Sequence, residues 1–149
     1  MVQFNFRLQS VLEYRRSLAD QLQIALADRE RQLRDAERRL AELYSERDQA
    51  TDSLSVGQDD LVNVSQATHI FIRIDQLELE LEAQSQVIER ARADYEQTRS
   101  ELIELEKSAK TLEKLRDRQQ DEWATEELRR EQTQLSELAA VFHQRANGG

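Results

Sequence analysis

Residues that could carry out chemistry are few and widely separated along this chain. The two histidines, His69 and His143, lie far apart in the sequence, and the chain contains no cysteine. The sequence has neither a Cys/His cluster nor an H-x-x-x-H pair, so it does not support a structural zinc site. The phosphate-binding patterns G-x-x-x-x-G-K-[ST] and G-x-G-x-x-G are also missing. The sequence therefore predicts no enzyme activity, no metal ion and no cofactor.

The distribution of charge excludes further classes of partner. Residues 1–57 carry 9 Lys/Arg and 10 Asp/Glu, residues 58–104 carry 4 and 11, and residues 105–149 carry 8 and 9. An acidic middle repels phosphates, so nucleic acid is not expected as a partner. No apolar run approaches the roughly 18–20 residues that span a bilayer, and the N-terminus lacks the pattern of a signal peptide. We therefore expect a cytoplasmic protein without direct membrane insertion.

Long helices are the elements that must position these residues. The chain contains no proline and a single internal glycine, Gly57, which indicates few turns. In the second half of the chain, apolar residues recur every seven positions in two parallel rows, as in a left-handed coiled coil. The first row is Ala67, Ile74, Leu81, Ile88, Tyr95, Leu102 and Ala109. The second row is Ile70, Leu77, Gln84, Ala91, Thr98, Leu105 and Leu112.

The first half of the chain shows a similar row that begins at Leu26. Its members are Leu26, Leu33, Leu40, Arg47 and Leu54. A row upstream is shifted by one residue, which resembles a stutter where the supercoil locally unwinds. The shifted row is Phe4, Val11, Leu18 and Ala25. Polar members of the rows, such as Gln84, Thr98 and Arg47, either fix the register of the helices or form a weak point where they can bend.

These patterns predict an all-α fold, an antiparallel two-helix coiled-coil hairpin with an extended C-terminal helix. We expect one domain over residues 1–149, with helices at about 4–54 and 60–145 and a turn at about 55–60. If Gly57 is the turn, the numbers of residues that face each other add up to about 114. That register pairs Leu33 with Leu81 and leaves the residues beyond about Lys110 without an intramolecular partner.

The unpartnered C-terminal segment has an apolar pattern of its own. It comprises Trp123, Leu128, Leu135 and Phe142, with Leu138 and Ala139 beside them. An exposed apolar stripe of this kind marks either a protein interface or a frayed or self-associating end.

The opening segment at residues 4–15, FNFRLQSVLEYR, resembles the start of the FliJ family of flagellar type III export proteins. The similarity continues through LEKLRDR at residues 112–118, the aromatic Trp123 and the closing ELAAVF at residues 137–142. Ser136 departs from the family, which often has Asp before the closing Glu. Glu46 and Arg73 stand at positions where the family is expected to carry aromatic residues.

The resemblance implies a fold similar to the central stalk subunit of rotary ATPases. It implies a soluble component of the export apparatus that binds the hexameric export ATPase (FliI-like) in its central hole. It also implies contact with the cytoplasmic domain of the export gate (FlhA-like) and the escort of export chaperones. Such a protein lies in the cytoplasm, at the cytoplasmic face of the inner membrane below the flagellum. The alternative is a generic coiled-coil scaffold or a holdase chaperone outside flagellar export.

Two sets of residues are carried over from the resemblance. The surface expected to bind the ATPase comprises Phe6, Arg7, Leu8, Arg15, Lys114, Arg118, Trp123, Arg129 and Arg130. The surface expected to bind the export gate comprises Leu43, Tyr44, Leu77 and Gln84.

Overall fold

Two long helices form nearly all of the chain. The computed structural model describes residues 3–56 and 64–148, so the turn predicted at Gly57 lies outside the described residues. Helix α1 covers Gln9–Val56 with 48 residues, and helix α2 covers Val64–Asn147 with 84 residues. The helices pack against each other in antiparallel orientation, and no strand occurs among the described residues. The predicted all-α hairpin with an extended second helix is confirmed.

The chain divides into two compact units, each built from part of both helices. The terminal unit comprises Met1–Ala19 and Glu104–Gly149, and the middle unit comprises Asp20–Ile103. The core of the middle unit is a cluster of Leu43, Leu77 and Leu81, with Leu40 and Ala50 packed against it. The core of the terminal unit is a cluster of Phe6, Leu12, Ala109 and Leu112, with Phe4 and Leu115 packed against it. Over the described ranges, neither helix has an apolar stretch long enough to cross a membrane.

The heptad rows predicted for α2 are confirmed, because every member of both rows is buried or half-buried. The predicted stutter in α1 is wrong. Leu12 and Ala19 are buried and continue the row of Leu26 without interruption, whereas Val11 of the shifted row is exposed. Helix α1 also has a second row that was not predicted from the sequence, and it is at least half-buried at Leu22, Ala36, Leu43 and Ala50.

Ion pairs between the helices define their register in the middle unit. Arg39 lies 3.9 Å from Glu80, and these residue numbers add up to 119. Arg92 lies 3.9 Å from Glu37, and these numbers add up to 129. The two ion pairs lie on opposite sides of the apolar contact between the helices. The numbers of the apolar residues that face each other in that contact therefore add up to about 124, midway between the two sums.

The register predicted from the sequence, with a sum near 114, is therefore wrong. Leu81 shares a core cluster with Leu43, whose number gives a sum of 124, and Leu33 does not belong to that cluster. Leu43 belongs to the second row of α1, which was not predicted from the sequence. The predicted register pairs the one row expected in α1 with the equivalent row of α2. In the antiparallel structure, the second row of α1 faces the first row of α2.

The residues before α1 form a short irregular segment rather than the helix predicted from about residue 4. The N–H of Gln9 donates to the carbonyl of Phe6 at 3.1 Å, and the helix begins there. Phe4 and Phe6 are two positions apart and would point in nearly opposite directions on a helix. Outside a helix, both rings can reach the core of the terminal unit. Helix α2 covers Val64–Asn147, and its predicted start at about residue 60 lies outside the described residues.

Candidate partner-binding surfaces

The C-terminal part of α2 is not covered by any other described segment. Every residue from 128 to 148 is exposed. Leu128, Leu135 and Phe142 lie seven positions apart and are 57%, 66% and 65% exposed. Leu138 and Val141 lie on the adjoining positions and are also exposed. This apolar stripe, which we call the C-terminal stripe, lies on one side of the helix, as the sequence predicts.

The paired part of α2 extends further than the sequence predicts. Leu112 and Leu115 pack into the core of the terminal unit, although both lie beyond Lys110. The ring centroids of Phe4 and Trp123 are 6.1 Å apart, with the ring planes inclined by 49°. An irregular chain rises by about 3.3 Å per residue at most, against about 1.5 Å in a helix. The segment before α1 therefore reaches further along α2 than six helical residues would, and the unpaired region begins after Trp123.

The residues expected to bind the ATPase all lie in the terminal unit, but their exposure differs. Phe6 is buried in the core, and Leu8 lies at its edge with 36% exposure. Trp123 is half-buried against Phe4. The guanidinium of Arg15 is half-buried and donates a hydrogen bond to the hydroxyl of Ser108 on α2. Phe6 and Arg15 thus hold the two helices together rather than standing free on the surface.

The predicted cations form two groups on α2. Lys114 and Arg118 lie one helical turn apart and are exposed. Lys110 continues this line one turn earlier, and these three cations form no ion pair within the described part of the chain. Lys110 is not among the residues predicted from the sequence, although its spacing of four from Lys114 was a usable signal. We call these three residues the basic line.

The second group comprises Arg129 and Arg130, beside the C-terminal stripe. Arg129 pairs with Glu126 at 3.5 Å, and Arg130 pairs with Glu127 at 3.3 Å. Both pairs link residues three apart on the helix surface, where an ion pair is worth about 0–1 kcal/mol. A partner with suitably placed carboxylates could therefore replace them at little cost.

The four residues expected to bind the export gate lie in the middle unit, and three of them face the partner helix. Leu43 and Leu77 are 2% and 1% exposed. The side-chain amide of Gln84 donates to the backbone carbonyl of Ala36 on α1 at 2.9 Å. Tyr44 is 42% exposed and is the member of this set that a partner can touch directly.

The surroundings of Tyr44 are polar and charged. The guanidinium carbon of Arg47 lies 4.9 Å from the centre of the Tyr44 ring, which is a cation–π contact. Glu46 pairs with Arg73 of α2 at 3.0 Å. An inter-helix ion pair thus occupies the two positions where the family was expected to have aromatic residues.

The two units differ sharply in net charge. The terminal unit contains 11 Lys/Arg and 11 Asp/Glu, whereas the middle unit contains 10 and 19. The whole net charge of -9 therefore belongs to the middle unit. The two units offer partners different electrostatic surfaces, in agreement with the charge distribution along the sequence.

The described residues contain no group of three or more side chains suited to hold a metal ion. A surface depression beside the C-terminal stripe is lined from Arg129 to Ala140 by residues of α2 alone. Such an open face of a single helix suits contact with another macromolecule better than enclosure of a small molecule.

The model of one protein family matches almost the whole chain. It is described as FliJ, flagellar FliJ protein, and it covers residues 4–148. The matched range includes the irregular segment before α1, both helices and the C-terminal stripe. No curated protein and no solved structure gives a significant match.

Proposed function

The chain belongs to the FliJ family of flagellar proteins, which is related to flagellar protein export, and we propose that it is a non-enzymatic, stalk-like adaptor of the export apparatus. In this proposal the terminal unit binds the hexameric export ATPase and promotes its assembly and activity. The middle unit contacts the cytoplasmic domain of the export gate, and the protein escorts export chaperones. It acts at the cytoplasmic face of the inner membrane.

The C-terminal stripe is the observation that carries this proposal. A single helix that exposes Leu128, Leu135 and Phe142 over two full heptads has no described partner within the chain. Most of the stability of a helix in a protein comes from packing of its apolar side, so this segment gains stability when a partner covers the stripe. An apolar surface inside a ring-shaped partner would cover the exposed apolar side of such a helix.

The basic line supports the same assignment through a weaker, longer-range force. Lys110, Lys114 and Arg118 can attract acidic loops at the rim of a ring without fixing one orientation, because exposed ion pairs are weak and screened by salt. Apolar anchors that become buried at an interface contribute more, roughly 2 kcal/mol or above at a hot spot. We therefore propose that the C-terminal stripe supplies most of the affinity for the ATPase. The basic line mainly speeds the first association of the two proteins.

Contact with the export gate is proposed for the surface around Tyr44. Leu43 and Leu77 serve it indirectly, because they form the core that holds the two helices at this position. Gln84 also helps to hold the two helices in place, because its side-chain amide donates a hydrogen bond to the backbone carbonyl of Ala36. The negative charge of the middle unit favours a basic segment of the gate as the contact.

A binding experiment with matched variants tests the ATPase contact. The purified export ATPase is mixed with the full chain, and both co-elution and the rate of ATP hydrolysis are measured. We expect the double variant Leu135→Ser with Phe142→Ser to lose most of the binding and stimulation. The control is Ile24→Ser, which removes an apolar side chain of 74% exposure from the middle unit and should change neither.

The gate contact is tested separately with the cytoplasmic domain of the gate. Tyr44→Ala should weaken this binding and leave ATPase stimulation intact.

The ATPase experiment also has an outcome that contradicts the proposal. If the variant with Leu135→Ser and Phe142→Ser and the control variant both stimulate hydrolysis like the unmodified chain, the C-terminal stripe is not the docking element. A generic scaffold or holdase role would then describe the protein better.

A further inference from the structure

A second exposed apolar surface lies on α2 within the middle unit, on the side turned away from α1. Phe71, Ile72 and Leu79 are 58%, 50% and 69% exposed. The neighbouring positions Ile74 and Leu77 are half-buried and buried, because they belong to the rows that face α1. Ile72 and Leu79 are seven positions apart and project from the opposite side of the helix. None of the contacts proposed above uses them.

Three carboxylates alternate with these apolar side chains. Asp75, Glu78 and Glu82 are exposed, and none of them has an ion pair or hydrogen bond among the described residues. Glu80 differs, because it lies 3.9 Å from Arg39 and 3.8 Å from Arg73. The structure thus neutralises the acid beside α1 and leaves the three outward acids unpaired. We call the six residues Phe71, Ile72, Asp75, Glu78, Leu79 and Glu82 the outer patch.

The order of residues in the outer patch is that of a helix-packing seam. Ile72, Asp75, Leu79 and Glu82 follow one another at spacings of three, four and three. This is the spacing at which a second helix, laid alongside, meets one side chain after another. Apolar and acidic positions alternate along the line, so a complementary helix must alternate apolar and basic residues.

We infer that the outer patch binds an amphipathic helix of a partner protein whose contact face alternates apolar and basic side chains. A second copy of this chain fits less well in the symmetric arrangement, since the same three unpaired carboxylates would meet each other there. The patch lies in the unit that carries the whole net charge of -9, which attracts a basic helix over a longer range. The prediction is independent of the ATPase and gate contacts.

The inference is tested with a synthetic helix of about 21 residues, long enough to form a helix when bound. It carries Leu and Lys alternately at its contact positions and Ala and Gln elsewhere, and its binding to the full chain is measured by fluorescence anisotropy. We expect binding that weakens as the salt concentration rises. A matched peptide with Glu in place of Lys should not bind.

Variants of the full chain locate the binding site. Ile72→Ser combined with Leu79→Ser should weaken binding about tenfold or more, as loss of buried apolar anchors does. Asp75→Asn, Glu78→Gln and Glu82→Gln together should weaken it roughly threefold or more and remove most of the salt dependence. Ile24→Ser is the matched control on α1. Its neighbour Asp28 is already paired with Arg31 at 2.7 Å and offers no free carboxylate to the Lys side chains of the peptide. The Ile24→Ser substitution should therefore leave peptide binding unchanged.

Several results would overturn the inference. They are a lack of binding by the Leu/Lys helix, equal binding by the Glu peptide, or an equal loss in Ile24→Ser. Concentration-dependent dimerisation of the chain that the double serine variant abolishes would assign the patch to a second copy instead. Circular dichroism of each variant verifies that it is folded, and the amide variant keeps the apolar residues in case the serine variant is unstable. ATPase stimulation should be unchanged in all these variants, so a failure here leaves the proposed function intact.

Discussion

Leu77→Ala provides a quantitative test of the core of the middle unit. Leu77 is 1% exposed and lies in a cluster with Leu43 and Leu81. The substitution removes three carbon groups, which at about 0.8 kcal/mol for each buried group corresponds to about 2.4 kcal/mol. The cavity left behind adds to this cost, and measured Leu→Ala changes in cores span about 2–5 kcal/mol. A core between only two helices can partly collapse, so we expect a loss of about 2.5–3.5 kcal/mol.

Leu79→Ala is the matched control, since it makes the same chemical change two positions away. Leu79 is 69% exposed, so its substitution should change the free energy of unfolding by no more than about 0.5 kcal/mol. Urea denaturation followed by far-UV circular dichroism measures both variants. Equal destabilisation by the two substitutions would refute the assignment of Leu77 to the core. So would a loss below about 1 kcal/mol for Leu77→Ala, because it lies below the range for buried leucines.

Two further predictions concern the packing of the helices. The chain has no cysteine, so a short thiol cross-linker should join Arg39→Cys to Glu80→Cys. Leu33→Cys with Leu81→Cys, the pair expected to face each other at the predicted sum of 114, should remain unlinked, because Leu81 packs against Leu43. The reverse result would restore that register. Phe4→Ala and Trp123→Ala should be coupled in their effects on the free energy of unfolding by about 0.5–1.5 kcal/mol, as contacting aromatic rings are. Urea unfolding of the two single variants and the double variant measures this coupling. Additive effects would mean that the two rings do not interact in solution.

The heptad rows of α2 could be predicted because a seven-residue repeat is a local property of the sequence. Each row member is buried or half-buried, including the polar Gln84 and Thr98. The second row of α1 was harder to detect, since Arg29 interrupts it between Leu22 and Ala36. Missing that row led to the wrong register, because register depends on which rows face each other and a repeat alone does not specify this.

The candidate surfaces were predicted less completely than the helices. The C-terminal stripe was found from spacing alone, but its start depends on how far the segment before α1 reaches. The segment reaches that far because Phe4 and Phe6 lie outside α1 in an irregular segment, and a periodic pattern in the sequence does not reveal where a helix starts. The gate-binding set was carried over by resemblance, which transfers residue positions but not burial. Leu43 and Leu77 are therefore core residues, and Tyr44 is the exposed member.

The rate of ATP hydrolysis by the purified export ATPase, with the full chain and with a chain that ends at Glu127, tests the proposed adaptor role most directly. The truncation removes the C-terminal stripe and leaves Phe4, Trp123 and the terminal core in place. We predict that the truncated chain keeps the same helicity per residue and the same midpoint of urea unfolding but no longer stimulates hydrolysis. Full stimulation by the truncated, folded chain would contradict the assignment of the C-terminal stripe to the ATPase.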